Sequence, residues 1–333
     1  MSSAFAHLTA RPIAPTDAAG LSALLNAIEA VDVFGEYYSE EDAAEQINAP
    51  LLDLGRGTVG LFDGDLMVGY SSAAHQPRAE GVHRVTLSGG VHPDHRRRGL
   101  GTGLLAAGIA CARTLHALHH PALPLAVAVR NNARNAGALA CYRAAGMTLS
   151  GSSSHLRRPL DAGVADVPVP EGHTVEAYAA GNDADFHLTS DEAFLESRGG
   201  VPMPPERWRE LLGWQAFRPD LSFLLREDGS GAAAGMVLVF SWDADTEATG
   251  VRDAQILRIG TRPGHRGRGV ASALLGHALR AAQDAGFDRV SLDVDAEELP
   301  RAHGLFERAG FTVARTEVVH TLEFTGRAQH PTG

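Results

Sequence analysis

With 333 residues, 44% of them hydrophobic and 21% charged, the chain is long enough for two domains, each with its own core, and has the composition of a folded protein in water. A net charge of −11 excludes a broad surface for nucleic acid or anionic lipid, and no apolar run approaches the roughly 18 residues of a membrane span. Two cysteines, Cys111 and Cys141, exclude a disulfide framework and form no zinc pair, and Met1–His7 lacks the basic start and apolar stretch of a secretory signal, so a cytoplasmic protein is expected.

In chain order, residues 7–12 predict a first strand, and Pro15-Thr16-Asp17 caps a helix running to about Ala30. Ser39-Glu40-Glu41-Asp42 caps a second helix through Ile47. Between the helices Phe34, Tyr37 and Tyr38 lie close together, either as helix packing or as the lip of an acceptor groove. Residues 57–61 and 66–74 predict a hairpin about Asp63-Gly64-Asp65. A fourth strand follows over residues 83–90, and Gly89-Gly90 predicts a distorted backbone there that admits a ligand.

Strand then turns into helix through Val91-His92-Pro93-Asp94-His95-Arg96-Arg97-Arg98-Gly99-Leu100-Gly101-Thr102-Gly103. Glycines let backbone N–H groups approach an anion, the helix that follows points its positive end at it, and arginines add charge, so this loop reads as a pyrophosphate cradle. It is no P-loop, which would end in Lys-Ser or Lys-Thr, and it lacks the G-x-G-x-x-G order of a dinucleotide fingerprint. The helix reaches about Leu118. His116, His119 and His120 around its end lack the H-E-x-x-H spacing of a metal site and are expected to be solvated. A fifth strand, residues 125–129, leads to Asn135, Ala138, Cys141, Tyr142, Gly146 and Met147, where Asn135, Ala138 and Tyr142 recur at helical intervals.

Residues 159–172 form a short, partly stiff linker. The expected domains are therefore 1–160 and 173–333, with the linker at 161–172. The second part repeats the first: a strand at 174–178, a helix capped by Asp183, a hairpin across Asp228-Gly229-Ser230-Gly231, and a strand at 254–261 ending in Ile259, Gly260 and Thr261. A second cradle follows, with Arg266, Gly267, Arg268, Gly269, Val270 and Ala271 placing Arg266, Gly269 and Ala271 in the spacing of Arg96, Gly99 and Gly101. Asp293, Asp295, Glu297 and Glu298 are expected to be a solvated strand end rather than a cation site.

The two loops resemble the acetyl-coenzyme A signature [RQ]-x-x-G-x-[GA] of the GCN5-related N-acetyltransferase (GNAT) family, and the Asn135–Met147 stretch resembles that family's N-x-x-A-x-x-[apolar]-Y-x-x-x-G pattern. The resemblance implies an α/β fold of two tandem domains, each a twisted mixed sheet of six or seven strands flanked by helices, with strands four and five splayed. It also implies acetyl-coenzyme A as cofactor and the primary amine of a small molecule as acceptor, in a monomer or homodimer with no nucleic-acid or membrane partner. By the same resemblance Gly90 and Val91 would pair with the pantetheine arm, His92, Arg96 to Gly103 and Asn135 would line the first cofactor site, and Ile259 to Thr261 with Arg266 to Ala271 would line the second.

The tandem layout with Arg157-Arg158-Pro159-Leu160 is most similar to the mycothiol-synthase branch, whose second half carries a strand Glu and a helix Tyr. Here those places hold Gln255 and Phe306, with Leu299 for the helix Asn. Neither Gln nor Phe exchanges protons at neutral pH. The first half shows Val85 at the strand position but keeps Tyr142, so it is expected to carry turnover, Tyr142 protonating the departing thiolate as the resemblance implies, with His83 or a water held by polar strand groups as the candidate base. Two alternatives stand beside this one: a non-catalytic acyl-coenzyme A binder, and an enzyme whose second half is active.

Overall fold

The computed structural model describes residues 8–49, 52–75, 79, 81–195 and 202–324; the expectations for Met1–His7 lie outside them. Two compact units emerge, one from residues up to Ser152 together with those from Glu317 on, the other from Ser153–Thr316.

Unit one begins with β1 (Thr9–Arg11), α1 (Ala18–Asp32), α2 (Glu40–Ile47) and α3 (Leu54–Gly57). The Ser39 hydroxyl takes the Asp42 N–H at 3.0 Å and the Asp42 carboxylate takes the Ser39 N–H at 2.8 Å, the reciprocal cap that starts α2. The hairpin of β2 (Thr58–Asp63) and β3 (Leu66–His75) turns at Gly64. Then come β4 (His83–Val91), α4 (Leu100–His119), β5 (Leu125–Asn132), α5 (Ala136–Ala144) and β6 (Thr148–Pro159). Val85, Leu87, Val127 and Val129 of the sheet pack beneath Ala112 and Leu115 of α4, the amphipathic match that the helical spacing predicts.

Unit two follows the same plan: β7 (His173–Ala177), α6 (Asp183–Phe194), α7 (Pro205–Gly213), β8 (Phe223–Glu227), β9 (Ala233–Phe240) and α8 (Asp243–Thr249). It continues with β10 (Asp253–Thr261), α9 (Val270–Asp284), β11 (Arg289–Asp295), α10 (Leu299–Arg308) and β12 (Thr312–Phe324). Ala254, Ile256, Val290 and Leu292 pack beneath Leu274, Leu275 and Ala278 of α9. Residues 160–164 are tied to α9 as well: Gln283 donates to the Leu160 carbonyl at 2.8 Å and Arg280 to that of Val164 at 2.9 Å.

Each sheet is mixed, and its order is β1-β2-β3-β4-β5-β12 in unit one and β6-β11-β10-β9-β8-β7 in unit two. The last strands are exchanged. Residues 317–324 of β12 pair with β5, while residues 153–159 of β6 pair with β11. The central parallel pairs part where expected: β4 and β5 pair only over His83–Leu87 and Leu125–Val129, β10 and β11 only over Asp253–Ile256 and Arg289–Leu292.

The distortion expected at Gly89-Gly90 is absent, because β3 and β4 pair without a break from Gly69 opposite Val91 to His75 opposite Val85. The glycines answer crowding instead. A Cβ on Gly89 would lie 2.7 Å from the Tyr70 carbonyl oxygen, and one on Gly90 would collide with Ile28 of α1. The bulge belongs to unit two, where the β9–β10 register slips between Ile256 and Arg258. One extra residue shifts the correspondence between halves: Phe240 opposite Gln255 matches Ala74 opposite Thr86. The counterpart of Gln255 is therefore Thr86, not Val85, which is buried in the core.

Among the described residues no helix is long and apolar enough to cross a membrane, and no group of three His, Cys, Asp or Glu is arranged to hold a metal ion.

Candidate active site

In the first cradle β4 ends at Val91, one 3-10 turn spans Pro93–His95, and Gly99 opens α4 with φ 82°. Gly99 offers no side-chain cap, and the first helical bond runs from Gly103 N–H to the Gly99 carbonyl at 3.1 Å. The N–H groups of Leu100, Gly101 and Thr102 precede that bond and point out of the helix start. A Cβ on Gly101 would meet only Val91 Cγ2, at 3.8 Å. Arg97 and Arg98 are exposed beside these donors, so the residues present fit a pyrophosphate.

Arg96 does something else. Its Nε donates to the Val91 carbonyl at 3.1 Å, and its two terminal nitrogens clamp the Asp32 carboxylate at 2.7 and 3.0 Å. Asn135 joins the same carboxylate through Nδ2 at 3.3 Å, while its Oδ1 caps α5 by accepting the Ala138 N–H at 3.1 Å. Both side chains thus brace the loop and the start of α5 against the end of α1. Arg266 repeats the device in unit two, donating to the Thr261 carbonyl at 3.4 Å and to the Ala193 carbonyl of α6 at 3.2 Å. Arg97 adopts φ 63° where the second loop has Gly267 at 73°. The two loops therefore share one backbone path.

The second cradle repeats the uncapped start: Gly269 has φ 83° and no side-chain cap, with Val270 and Ala271 next. Ile259, Gly260 and Thr261 end β10, and a Cβ on Gly260 would lie 2.7 Å from Ala193 of α6, as one on Gly90 would meet α1. Its surroundings differ. Arg268 shares a pocket with Glu171, Glu227 and Asp228, carboxylates that compete with any anion brought there.

Tyr142 lies half-buried on α5. The Asn131 amide donates to its hydroxyl at 3.1 Å, so the phenol keeps its own hydrogen to give elsewhere. Burial raises its pKa, partly offset by Asn131, which keeps it protonated at neutral pH. Tyr70 on β3, opposite Gly90, has its pKa pushed up to about 12 by burial and by the nearby Glu36 and Tyr142. Glu36 itself accepts from the Tyr38 hydroxyl at 3.1 Å, and the segment carrying it is fixed from α1: the buried Glu29 carboxylate accepts the N–H groups of Phe34 at 2.8 Å and Gly35 at 2.6 Å. Tyr70, Glu36, Asp32 and Asn131 escaped the sequence reading. Asp32 left one signal, a carboxylate on the last residue of a helix, where the dipole disfavours it.

His83 is not brought to this place. It stands at the other end of β4, opposite Leu125, six residues before Asn131 on β5, or roughly 20 Å along a strand. There it is fully buried, with Nδ1 3.1 Å from His116 Nδ1 and Nε2 3.2 Å from His75 Nδ1. His120 and His119 complete the cluster, their rings 4.6 Å from His83 and 4.4 Å from His75. Of the helix-end histidines expected in solvent, His119 is exposed, whereas His116 and His120 are half-buried against His83.

In unit two Phe306 is 4% exposed and packs edge-on against Phe311 at 5.9 Å. Gln255 donates to Asp293 Oδ2 at 3.2 Å, and His155 Nδ1 meets Asp293 Oδ1 at 3.0 Å.

Known proteins with these features converge on one family. The acetyltransferase (GNAT) family model matches residues 25–147 and again 188–311. A mycothiol acetyltransferase of Streptomyces avermitilis is 30% identical over 325 residues, 95% of this chain and 94% of its own. Another, of Salinispora tropica, is 33% identical over 231 residues, 66% of this chain and 67% of its own. A GCN5-related N-acetyltransferase from Sphaerobacter thermophilus superposes with a TM-score of 0.72 at 27% identity, covering 96% of both chains. A tandem GNAT protein from the clavulanic acid biosynthesis pathway shares the fold, with a TM-score of 0.68 at 18% identity over 95% of this chain and 98% of its own. With one cradle and one family match in each half, the chain belongs to the acetyltransferase (GNAT) family as a tandem member, an enzyme that uses acetyl-coenzyme A.

Proposed function

We propose that the acceptor is the primary amine of a small cytoplasmic molecule and that turnover takes place in unit one. The Asn131–Tyr142 hydrogen bond carries this reading, because it leaves a protonated phenol with a hydrogen to give, whereas Phe306 in the matching place of unit two has none.

Acetyl-coenzyme A, when bound, supplies an activated acyl group on a thiol that departs needing a proton. The amides of Leu100 to Thr102, with Arg97 and Arg98, hold its pyrophosphate, and Arg96 and Asn135 keep that cradle in place through Asp32. Tyr142 delivers the proton. Glu36, whose charge reaches Tyr70, favours a cationic amine on the acceptor side. Since several relatives are named mycothiol acetyltransferases, a mycothiol-related amine is the first acceptor to test. The acidic net charge supports the absence of nucleic-acid and membrane partners.

Thiol release with a panel of primary amines tests the reading. Tyr142→Phe should lower the turnover number by about 10² to 10⁴-fold and leave acetyl-coenzyme A affinity nearly unchanged. A second reading, turnover in unit two, is favoured by the Asp293–His155 pair beside Gln255, which offers a base there. Normal turnover in Tyr142→Phe, with activity abolished by Arg266→Glu, would establish it instead.

A further inference from the structure

The buried surroundings of Tyr142 include a residue from the far end of the chain. His320, on the exchanged strand β12, lies opposite Val129 of β5, and its ring centroid is 5.7 Å from that of Tyr142. It is 5% exposed, and its Nδ1 is buried without a hydrogen-bond partner among the described residues. Asn131 Oδ1, on the amide that donates to the same phenol, is buried and unpartnered among the described residues as well. An orphaned buried polar atom costs free energy and calls for a reason. Two around one phenol mark a place where hydrogen bonds are made only during the reaction.

The repeat supplies an internal control. Asn131 matches Val294, because Thr86 opposite Ala128 corresponds to Gln255 opposite Ser291. Tyr142 matches Phe306: the Met147 N–H reaches the Tyr142 carbonyl at 3.1 Å, as the Phe311 N–H reaches the Phe306 carbonyl at 2.9 Å. His320 opposite Val129 matches Leu156 opposite Leu292. All three polar members of unit one are thus apolar in unit two, where Leu156, Val294 and Phe306 share one core. Packing alone is satisfied without them. The polar set is tied to the phenol.

We infer that His320 is the proton-transfer partner of Tyr142, returning a proton to the phenolate oxygen after each turnover. The inference rests on the reading of Tyr142 as the acid. Once Tyr142 has given its proton to the departing thiolate, an O–H bond must be rebuilt in a half-buried site. The Nδ1–H of His320 breaks and the phenol O–H forms, while Nε2 gains a proton from solvent; the imidazole ends neutral as its other tautomer, and loss of the Nε2 proton to water with return of one to Nδ1 restores it before the next turnover. Burial and Arg143 lower the pKa of His320 and keep the ring uncharged at neutral pH, the form able to shuttle. At this ring separation the transfer needs one hydrogen bond or a single bridging water.

His320→Leu is the decisive variant, because unit two already carries leucine in that register. Turnover should fall by about 10²-fold while isothermal titration gives an unchanged acetyl-coenzyme A affinity. In His320→Ala, added free imidazole should restore part of the rate through the space left by the ring. Acting through one phenol, the changes should not compound: His320→Leu should lower the rate of Tyr142→Phe no further. Wild-type turnover in His320→Leu beside a crippled Tyr142→Phe would defeat this inference alone, as would losses that multiply in the double variant. A silent Tyr142→Phe would defeat the reading of the acid and this inference with it.

Discussion

Acid should destabilise unit one through His83. Burial, reinforced by His120, His75, His116 and His119, pushes its pKa down to about 4, whereas an exposed histidine titrates near about 6.5. Between these values the unfolded chain takes up a proton that the folded unit refuses, so stability is full above the upper value and is lost as pH falls toward the lower. From those two pKa values the loss between pH 7.5 and 4.5 is about 2.5 kcal/mol, a large share of a domain's margin of about 5–15 kcal/mol. The perturbation is His83→Leu, which removes the titrating group while keeping an apolar occupant. Urea unfolding read by hydrogen exchange on β4 and β5 peptides isolates unit one, and the difference between wild type and variant cancels the carboxylates they share. Wild type should lose about 2.5 kcal/mol more than the variant over that pH range. Parallel pH dependences would refute the argument and place the protonated cluster among tolerated charges.

Gly101→Glu sets a side chain and a negative charge among the donor amides of the first cradle and should abolish the stronger acetyl-coenzyme A site in isothermal titration; undiminished binding would count against the cradle. Arg97→Gly relieves a left-handed backbone at φ 63° and should stabilise unit one by about 1 kcal/mol, seen as a higher thermal midpoint, while weakening cofactor binding through lost charge. Gly90→Ala drives a methyl group into Ile28 Cδ1 and should cost roughly 1–3 kcal/mol. Adding Ile28→Ala should recover part of that loss, and no recovery would show that the strand itself cannot take a side chain.

Local chemistry made the cradles legible: glycine, proline and arginine at fixed spacing define a backbone path that both loops follow. The cap of α2 and the hairpin about Gly64 were legible for the same reason. Long-range placement was not. Nothing near residue 83 in the sequence says that the start of β4 meets the end of α4, so the sequence offers His83 as a candidate base although it belongs to a histidine cluster. The bulge at Leu257 shifted the strand alignment by one residue and exchanged Thr86 for Val85. Asp32 and His320 reach Arg96 and Tyr142 from 64 and 178 positions away, separations at which spacing carries no information.

Exchange of the last strands bears on how the protein is made. During synthesis β5 waits with an open edge until residues 317–324 have left the ribosome, more than half the length of the chain later. An open strand edge invites pairing with other chains, so this enzyme has a long window in which nascent copies can join wrongly. Cutting the gene at the linker would prolong that window indefinitely: a fragment ending at residue 160 keeps β6, whose partner β11 is missing, and lacks β12, which closes β5. Supplying the second fragment in the same cell, rather than afterwards, is the condition under which the two pieces should assemble.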